Sequence, residues 1–298
     1  MRLAAIDIGS NAARLLISEV IETASRPQFQ KINLVRVPLR LGFDVFELQA
    51  ISKEKTEMIM HTMHAYKHLL EAYGVEHLKA AATSAMRDAQ NARAILEQVQ
   101  LETGIDIEVI SGDAEASFIY ENHVAEYLDK EHAYLYIDVG GGSTELTFFA
   151  DGVLKFKRSF NIGTIRLLKN QVNEGLWDEM KEFIKKETKQ HKDDVIAIGS
   201  GGNINKVFSL SKRKEGKPLT LDLLKDYYKE LGSFSLDDRI KVYHMKADRA
   251  DVIVPALLIY VNVMRWANIT DIYVPKIGLA DGLIQHLYED ISRQSKQA

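Results

Sequence analysis

The stretch Asp138-Val-Gly-Gly-Gly-Ser-Thr-Glu145 brackets three glycines and two hydroxyls with a carboxylate at each end. Gly140, Gly141 and Gly142 put no Cβ between backbone N–H groups and a ligand, and glycine reaches positive φ without steric cost. Successive N–H groups in such a turn form a concavity suited to an anion. Ser143 and Thr144 add hydroxyl donors, while Asp138 and Glu145 offer hard oxygen ligands of the kind magnesium takes. These types at this spacing point to phosphate chemistry assisted by a divalent cation. An ordinary glycine-rich β-turn with incidental carboxylates has the same composition, and this segment alone does not separate the two.

The flanking elements narrow the choice. Ala133–Val139 is an apolar run with the profile of a buried strand. P-loops and dinucleotide-binding turns lead from a strand into a helix. Here the glycines are followed by Glu145-Leu-Thr-Phe-Phe149, then Asp151-Gly152, then the strand-like Val153–Phe160. Asp-Gly between two such runs is a hairpin signal. The glycine turn therefore joins antiparallel strands, and both nucleotide-loop motifs are rejected. The same device opens the chain, where Leu3–Ile8 passes through Gly9-Ser10 towards Arg14–Ser18 and sets Asp7 131 residues before Asp138. Repetition at that spacing predicts two similar domains, each offering one hairpin to a shared cleft.

Further candidates lie on the elements between. Phe29–Leu41 reads as one or two strands, with Pro38 at an edge or bend. Ser52 caps a long helix that Gly74 ends, with Ile59, Met63, Tyr66, Leu70 and Tyr73 at helical spacing. Its other side carries His61, His64 and His68; no carboxylate or cysteine is placed to complete a metal shell, so a solvated face is expected. After a strand over Leu78–Ala82, Arg87 sits in the turn before a helix over Asn91–Thr103. Arginine suits bidentate phosphate recognition; a surface arginine near a helix start is the competing reading. Ile105–Ile110 is another strand, leading through Ser111-Gly112 into a helix that reaches about Leu128. Glu115 lies in its first turn, where a carboxylate is commonly just a partner for the helix N-terminus. Val195–Ser200 followed by Gly201-Gly202-Asn203 reads as strand, glycine loop and helix, able to hold an anion or simply to make a tight connection. Arg249–Ala267 reads as a long apolar helix region despite Pro255. Ile272–Val274 is a short strand before the last helix.

Taken together, these segments resemble the exopolyphosphatase/guanosine pentaphosphate phosphohydrolase (Ppx/GppA) family. The resemblance rests on Asp7-Ile-Gly-Ser-Asn11 with Arg14-Leu15, Thr83-Ser-Ala-Met-Arg-Asp-Ala-Gln-Asn91, Ile110-Ser-Gly-Asp-Ala-Glu-Ala116, Asp138–Leu146, Gly163-Thr-Ile-Arg-Leu167, Gly199-Ser-Gly-Gly202 and Arg249-Ala-Asp-Val-Ile253, in family order over nearly the whole chain. It implies an α/β fold with two similar domains of the actin, sugar-kinase and Hsp70 (ribonuclease H-like) superfold flanking a catalytic cleft. The expected domains are residues 1–128 with 283–298 and residues 129–282, the crossings falling near the charged Asp129–His132 and near Gly282. It further implies that Glu115 is the general base. Phosphates are expected at Gly9, Ser10, Asn11, Arg87, Gly140, Gly141, Gly142, Ser143, Thr144, Gly201 and Gly202, and Mg²⁺, or Mn²⁺ in its place, at Asp138, Asp7 and Glu145. Three positions depart from what the family commonly carries: Ala114 for a glutamate, Ala256 for a glycine and Ala280 for an arginine.

Composition sets outer bounds. The 298 residues suffice for two cores, and 46% hydrophobic with 27% charged residues is the profile of a globular protein. With no cysteine, disulfides, thiolate zinc sites and cysteine nucleophiles are excluded. A strand beginning by residue 3 leaves no room for a signal peptide, and the longest apolar run, Val252–Val261, is too short to span a bilayer. The expected setting is the cytoplasm, with no membrane partner. A formal charge of −4 argues against non-specific nucleic-acid binding. The densest basic cluster, Ser211-Lys-Arg-Lys-Glu-Gly-Lys217, is either a solvated loop or a track for a polyanion. The expected substrates are polyphosphate or guanosine pentaphosphate, whose terminal phosphate would be released; an ATP-dependent kinase on the same fold and a non-catalytic guanosine tetraphosphate sensor are the alternatives. A homodimer is left open.

Overall fold

The structure is a computed structural model that describes residues 1–23, 27–121, 132–191, 195–275 and 278–297. The chain divides into two compact units, one of Met1–Asn122 with Gly278–Ala298, the other of His123–Ile277. Asp129–Glu131, part of the expected first crossing, lies outside the described residues.

In the first unit, β1 (Arg2–Ile8), β2 (Ala13–Ile21) and β3 (Gln28–Val37) form an antiparallel meander. Helices α1 (Gly42–Leu48) and α2 (Lys53–Ala72) follow. As expected, the Ser52 hydroxyl accepts from the Lys55 N–H to cap α2, and Gly74 takes φ +59° just past its end. β4 (His77–Ala82), α3 (Ser84–Asp88), α4 (Ala92–Thr103), β5 (Glu108–Val109) and α5 (Gly112–Glu121) complete the run. The expected strand over Ile105–Ile110 shrinks to two residues, which pair with Ala81 and Ala82 of β4. The sheet order is β3-β2-β1-β4-β5, with β4 and β5 parallel to β1.

The second unit repeats this plan. β6 (Ala133–Val139), β7 (Thr144–Ala150) and β8 (Val153–Phe160) form the meander. Then come α6 (Thr164–Leu168), α7 (Glu174–Glu187), β9 (Val195–Ser200), α8 (Gly202–Ser211) and β10 (Leu219–Thr220). α9 (Leu221–Ser233), α10 (Leu236–Val242), α11 (Ala247–Ala250), α12 (Ile253–Trp266) and β11 (Asp271–Tyr273) finish the unit. Read from its far edge the sheet runs β8-β7-β6-β9-β11, the order of the first sheet, with β10 added antiparallel beyond β11. The helix region expected over Arg249–Ala267 is broken into α11 and α12. Pro255 falls in the first turn of α12, where its missing N–H leaves no intrahelical bond unmade. α12 buries Ile253, Leu257, Ile259 and Val263 against the sheet's core.

The last helix, α13 (Leu279–Gln297), belongs to the first unit and packs on β1 and α5. A Cβ on Gly282 would stand 1.9 Å from the Phe118 carbonyl oxygen, so only glycine lets α13 approach α5 this closely. Ala280 and Leu283 enter the core formed with Leu3, Ala5 and Leu16.

Candidate phosphate and metal site

Hydrogen-bond register makes the two hairpins superimposable in detail. Asp7 pairs with Arg14 across the first, and Asp138 with Glu145 across the second. The turn in each is closed by the same bond, Gly9 N–H to Ala12 C=O at 3.0 Å and Gly140 N–H to Ser143 C=O at 2.9 Å. Ser10 therefore corresponds to Gly141, Asn11 to Gly142, and Arg14 to Glu145.

What aims the glycine turn is its packing on α6. Thr164 N–H donates to Gly140 C=O at 3.0 Å, Ile165 N–H to Gly141 C=O at 2.8 Å, and Arg166 Nε to Gly142 C=O at 2.7 Å. Across a trans peptide the next residue's N–H points opposite to the carbonyl. The N–H groups of Gly141, Gly142 and Ser143 thus point together, away from α6, as the donors of an anion-binding nest. Gly163 makes the packing possible: a Cβ there would lie 2.4 Å from the Gly142 carbonyl carbon. The first unit does the same with different residues. Gly42 N–H donates to Ser10 C=O at 2.8 Å and Arg40 N–H to Asn11 C=O at 2.9 Å, which turns the Asn11 and Ala12 N–H groups the other way. The Ser10 hydroxyl is bonded to that of Ser84 at 2.7 Å, tying this turn to the start of α3.

Cross-strand partners lie on one face of a sheet, so Asp138 and Glu145 project together. A carboxylate oxygen of each lies within 4.8 Å of the other. Ser200 Oγ donates to Asp138 Oδ1 at 2.8 Å, and Ser159 Oγ to Glu145 Oε1 at 2.8 Å. Two oriented carboxylates with hydroxyls behind them form an oxygen-only donor set that fits a hard divalent cation. Asp7 is differently placed. It is buried, with its Oδ2 2.8 Å from Arg14 Nη1; burial raises its carboxyl above the usual range, and the Arg14 guanidinium pulls it part of the way back. Thr144, on the opposite strand face, gives its hydroxyl to Ile162 C=O at 2.6 Å.

Arg87 belongs to α3 rather than a turn. Its Nη1 donates to Ile110 C=O at 2.6 Å and stands 3.6 Å from Glu115 Oε2. Glu115 is buried in the first turn of α5. Arg87 and Glu115 are thus brought together by the β5–α5 junction. Gly201, at φ +102°, lies where a Cβ would come 3.0 Å from Asp138 Oδ1, and the Arg249 guanidinium covers Gly202 while donating to Asn203 Oδ1 at 2.7 Å. Ala114 and Ala280 contribute to the core of the first unit and Ala256 to that of the second.

A model of the Ppx/GppA phosphatase family matches residues 19–290. The chain belongs to that family. Among curated relatives it is 28% identical to a bifunctional 3-dehydroquinate synthase/phosphatase of Fusobacterium nucleatum, over 84% of this chain and 39% of that one. It is 25% identical to exopolyphosphatase 1 of Mycobacterium tuberculosis, over 95% of this chain and 87% of that one. A guanosine-5'-triphosphate,3'-diphosphate pyrophosphatase of Aeromonas salmonicida is 24% identical over 95% of this chain and 59% of its own length. The chain thus spans well under half of the Fusobacterium protein. Among solved structures, the Aquifex aeolicus family member superposes with a TM-score of 0.75 at 28% identity, over 97% of this chain and 98% of that one. An exopolyphosphatase of Cytophaga hutchinsonii superposes at 0.83 with 23% identity, over 97% and 98% of the two chains, a likeness of fold. The expected α/β fold with two similarly wound units is borne out, as is the expected family. Among the described residues, no helix is long and apolar enough to cross a membrane.

Sequence reasoning missed Ser159 and Ser200 as supports of the carboxylates, and Arg14 as the partner of Asp7. Arg14 carries a signal in hindsight: it follows Asp7 by seven residues, as Glu145 follows Asp138.

Proposed function

We propose that this chain hydrolyses terminal phosphoanhydride bonds, releasing inorganic phosphate from polyphosphate or from the 5′ end of guanosine pentaphosphate. The observation that carries the reading is the glycine turn with its three aligned N–H donors beside the Asp138–Glu145 pair. The phosphate groups are assigned to the amides of the turns at Gly9–Asn11 and Gly140–Ser143 and to Arg87, with the α8 N-terminus at Gly201-Gly202 as a further phosphate contact. Asp138 and Glu145 would hold magnesium, or manganese in its place, which supplies charge neutralisation and polarisation of the phosphoryl oxygens when bound. Asp7, paired with Arg14, is assigned a supporting part through the order it imposes on the first turn.

Glu115 is assigned as general base. The oxygen of a water attacks the terminal phosphorus while Glu115 accepts its proton, and the bridging oxygen leaves with the bonding electron pair. Arg87 stands 3.6 Å from Glu115, beside the carboxylate assigned this step. Its five donors allow it to hold a phosphate as well.

Phosphate release from polyphosphate, ATP and guanosine pentaphosphate, measured side by side with magnesium, tests the reading. Release from polyphosphate or guanosine pentaphosphate is the expected result. No release from either would overturn it: ATP consumption coupled to phosphorylation of an acceptor would indicate the kinase, and guanosine tetraphosphate binding without turnover the sensor.

A further inference from the structure

Behind Asp138 runs a chain of hydrogen bonds that none of the roles above uses. Tyr260, buried on α12, donates its hydroxyl to Ser200 C=O at 2.5 Å, and Ser200 Oγ donates to Asp138 Oδ1 at 2.8 Å. Asp138 and Ser200 are register partners on the parallel strands β6 and β9. Ser200 is the last residue of β9, so its carbonyl lies beyond the two residues of that strand, Ala197 and Ile198, that pair with β11. There the phenol hydroxyl supplies the partner that a ladder would otherwise provide. Next to it, Gly201 bends away at φ +102°, with its missing Cβ 3.0 Å from Asp138 Oδ1 and 3.8 Å from the Tyr260 oxygen. A side chain at position 201 would thus press on the Asp138 carboxylate beside the phenol.

We propose that Tyr260 is a positioning residue for the cation: by fixing the Ser200 carbonyl it fixes the Ser200 hydroxyl, and through that the Asp138 carboxylate that would hold the ion. The proposal rests on the hydrolase reading for the identity of the ion's task, and on the two hydrogen bonds for its geometry. Tyr260 itself contacts neither metal nor substrate in this scheme. Its buried phenol is the donor of the hydrogen bond to Ser200 C=O. Partners that orient a ligating carboxylate typically govern about 10–100-fold in metal affinity.

The test is Mn²⁺ binding to the full chain, followed by electron paramagnetic resonance without substrate, with thermal unfolding in parallel. Tyr260→Phe should weaken Mn²⁺ binding by about tenfold or more. Activity should show a parallel rise in the metal concentration giving half activation. Ser200→Ala should weaken binding similarly, and Ser200→Thr, which keeps a hydroxyl, should restore it. A purely structural Tyr260 would lower the unfolding temperature and leave the Mn²⁺ affinity of the folded protein at the parent value, and that result overturns the proposal. If Tyr260→Phe does not fold, Ser200→Ala decides: parental Mn²⁺ affinity there breaks the chain at its second link. A parent that binds no Mn²⁺ overturns the cation-assisted reading itself, and the positioning role with it. A parent that binds while both variants match it overturns the positioning role alone.

Discussion

Replacing Gly163 with alanine would put a Cβ 2.4 Å from the Gly142 carbonyl carbon and 2.5 Å from the Gly141 oxygen. Gly163 has φ −138°, an extended value open to any residue, so the cost is steric rather than conformational. Both struck atoms are backbone of the glycine turn, and no rotamer change relieves them. The turn or the start of α6 must retreat by about an ångström to reach ordinary carbon–carbon contact. Overpacking of this kind costs about 1–3 kcal/mol, and a misplacement of about 1 Å at a reacting centre can cost 10²-fold in rate. We therefore expect Gly163→Ala to fold with a lowered unfolding temperature and to lose kcat/KM for phosphate release by about 10²-fold. Gly232, inside α9 with its nearest neighbour 4.0 Å from the added methyl, is the control. There alanine should stabilise by about 0.5–1 kcal/mol and leave kcat/KM alone. Calorimetry and a phosphate-release assay read both quantities. If Gly163→Ala keeps the parent's kcat/KM and unfolding temperature, the packing account of how the turn is aimed is wrong.

Glu115→Gln keeps the shape of the side chain but cannot take a proton, and kcat should fall by about 10²–10⁴-fold with little change in stability. Asp113→Asn, an exposed position in the same first turn, should be neutral, and the reverse pattern in steady-state kinetics would move the base. Asp138→Asn should cripple turnover and shift the magnesium titration, and chelator should abolish the parent's activity; full activity in excess chelator refutes a metal requirement. Neutralising the exposed Lys212, Lys214 and Lys217 should weaken binding of long polyphosphate and flatten its salt dependence, by analogy with counterion release from nucleic acids. Short substrates should be nearly unaffected, and equal loss on both in a filter-binding series would instead indicate a general electrostatic role.

The hairpins, their repetition and the helix cap at Ser52 were legible in the sequence because each is written in local signals: continuous apolar runs, glycine turns, a hydroxyl before a helix. Arg87 beside Glu115 was not, since 28 residues separate them and only the β5–α5 junction joins them. Tyr260 was hidden for a related reason. A tyrosine in an apolar helix reads as core, and it is core; the hydroxyl acquires its task from Ser200, 60 residues away. Thr144 shows the opposite failure. Its type and place next to the glycines suggested a phosphate donor, but strand alternation turns it to the face opposite Glu145, where Ile162 takes its hydroxyl. His64 was expected on a solvated face, and its exposed ring bonds Glu102 at 3.0 Å, a surface tie between α2 and α4.

The repeat also sets the two turns apart in charge. Strand order, register and turn closure agree between them, yet one register position differs in charge: Arg14 faces Asp7 where Glu145 faces Asp138. The first pair is internally neutral, with a 2.8 Å ion pair absorbing the carboxylate. The second carries two carboxylates on adjacent strands, and like charges on directly opposed residues are destabilising unless something offsets them. Serine hydroxyls orient that pair. A phosphate chain brought to the second turn would add further negative charge, which the cation proposed at that pair would offset. That one arginine-for-glutamate difference in a duplicated hairpin favours the proposed cation at Asp138 and Glu145 over one at Asp7.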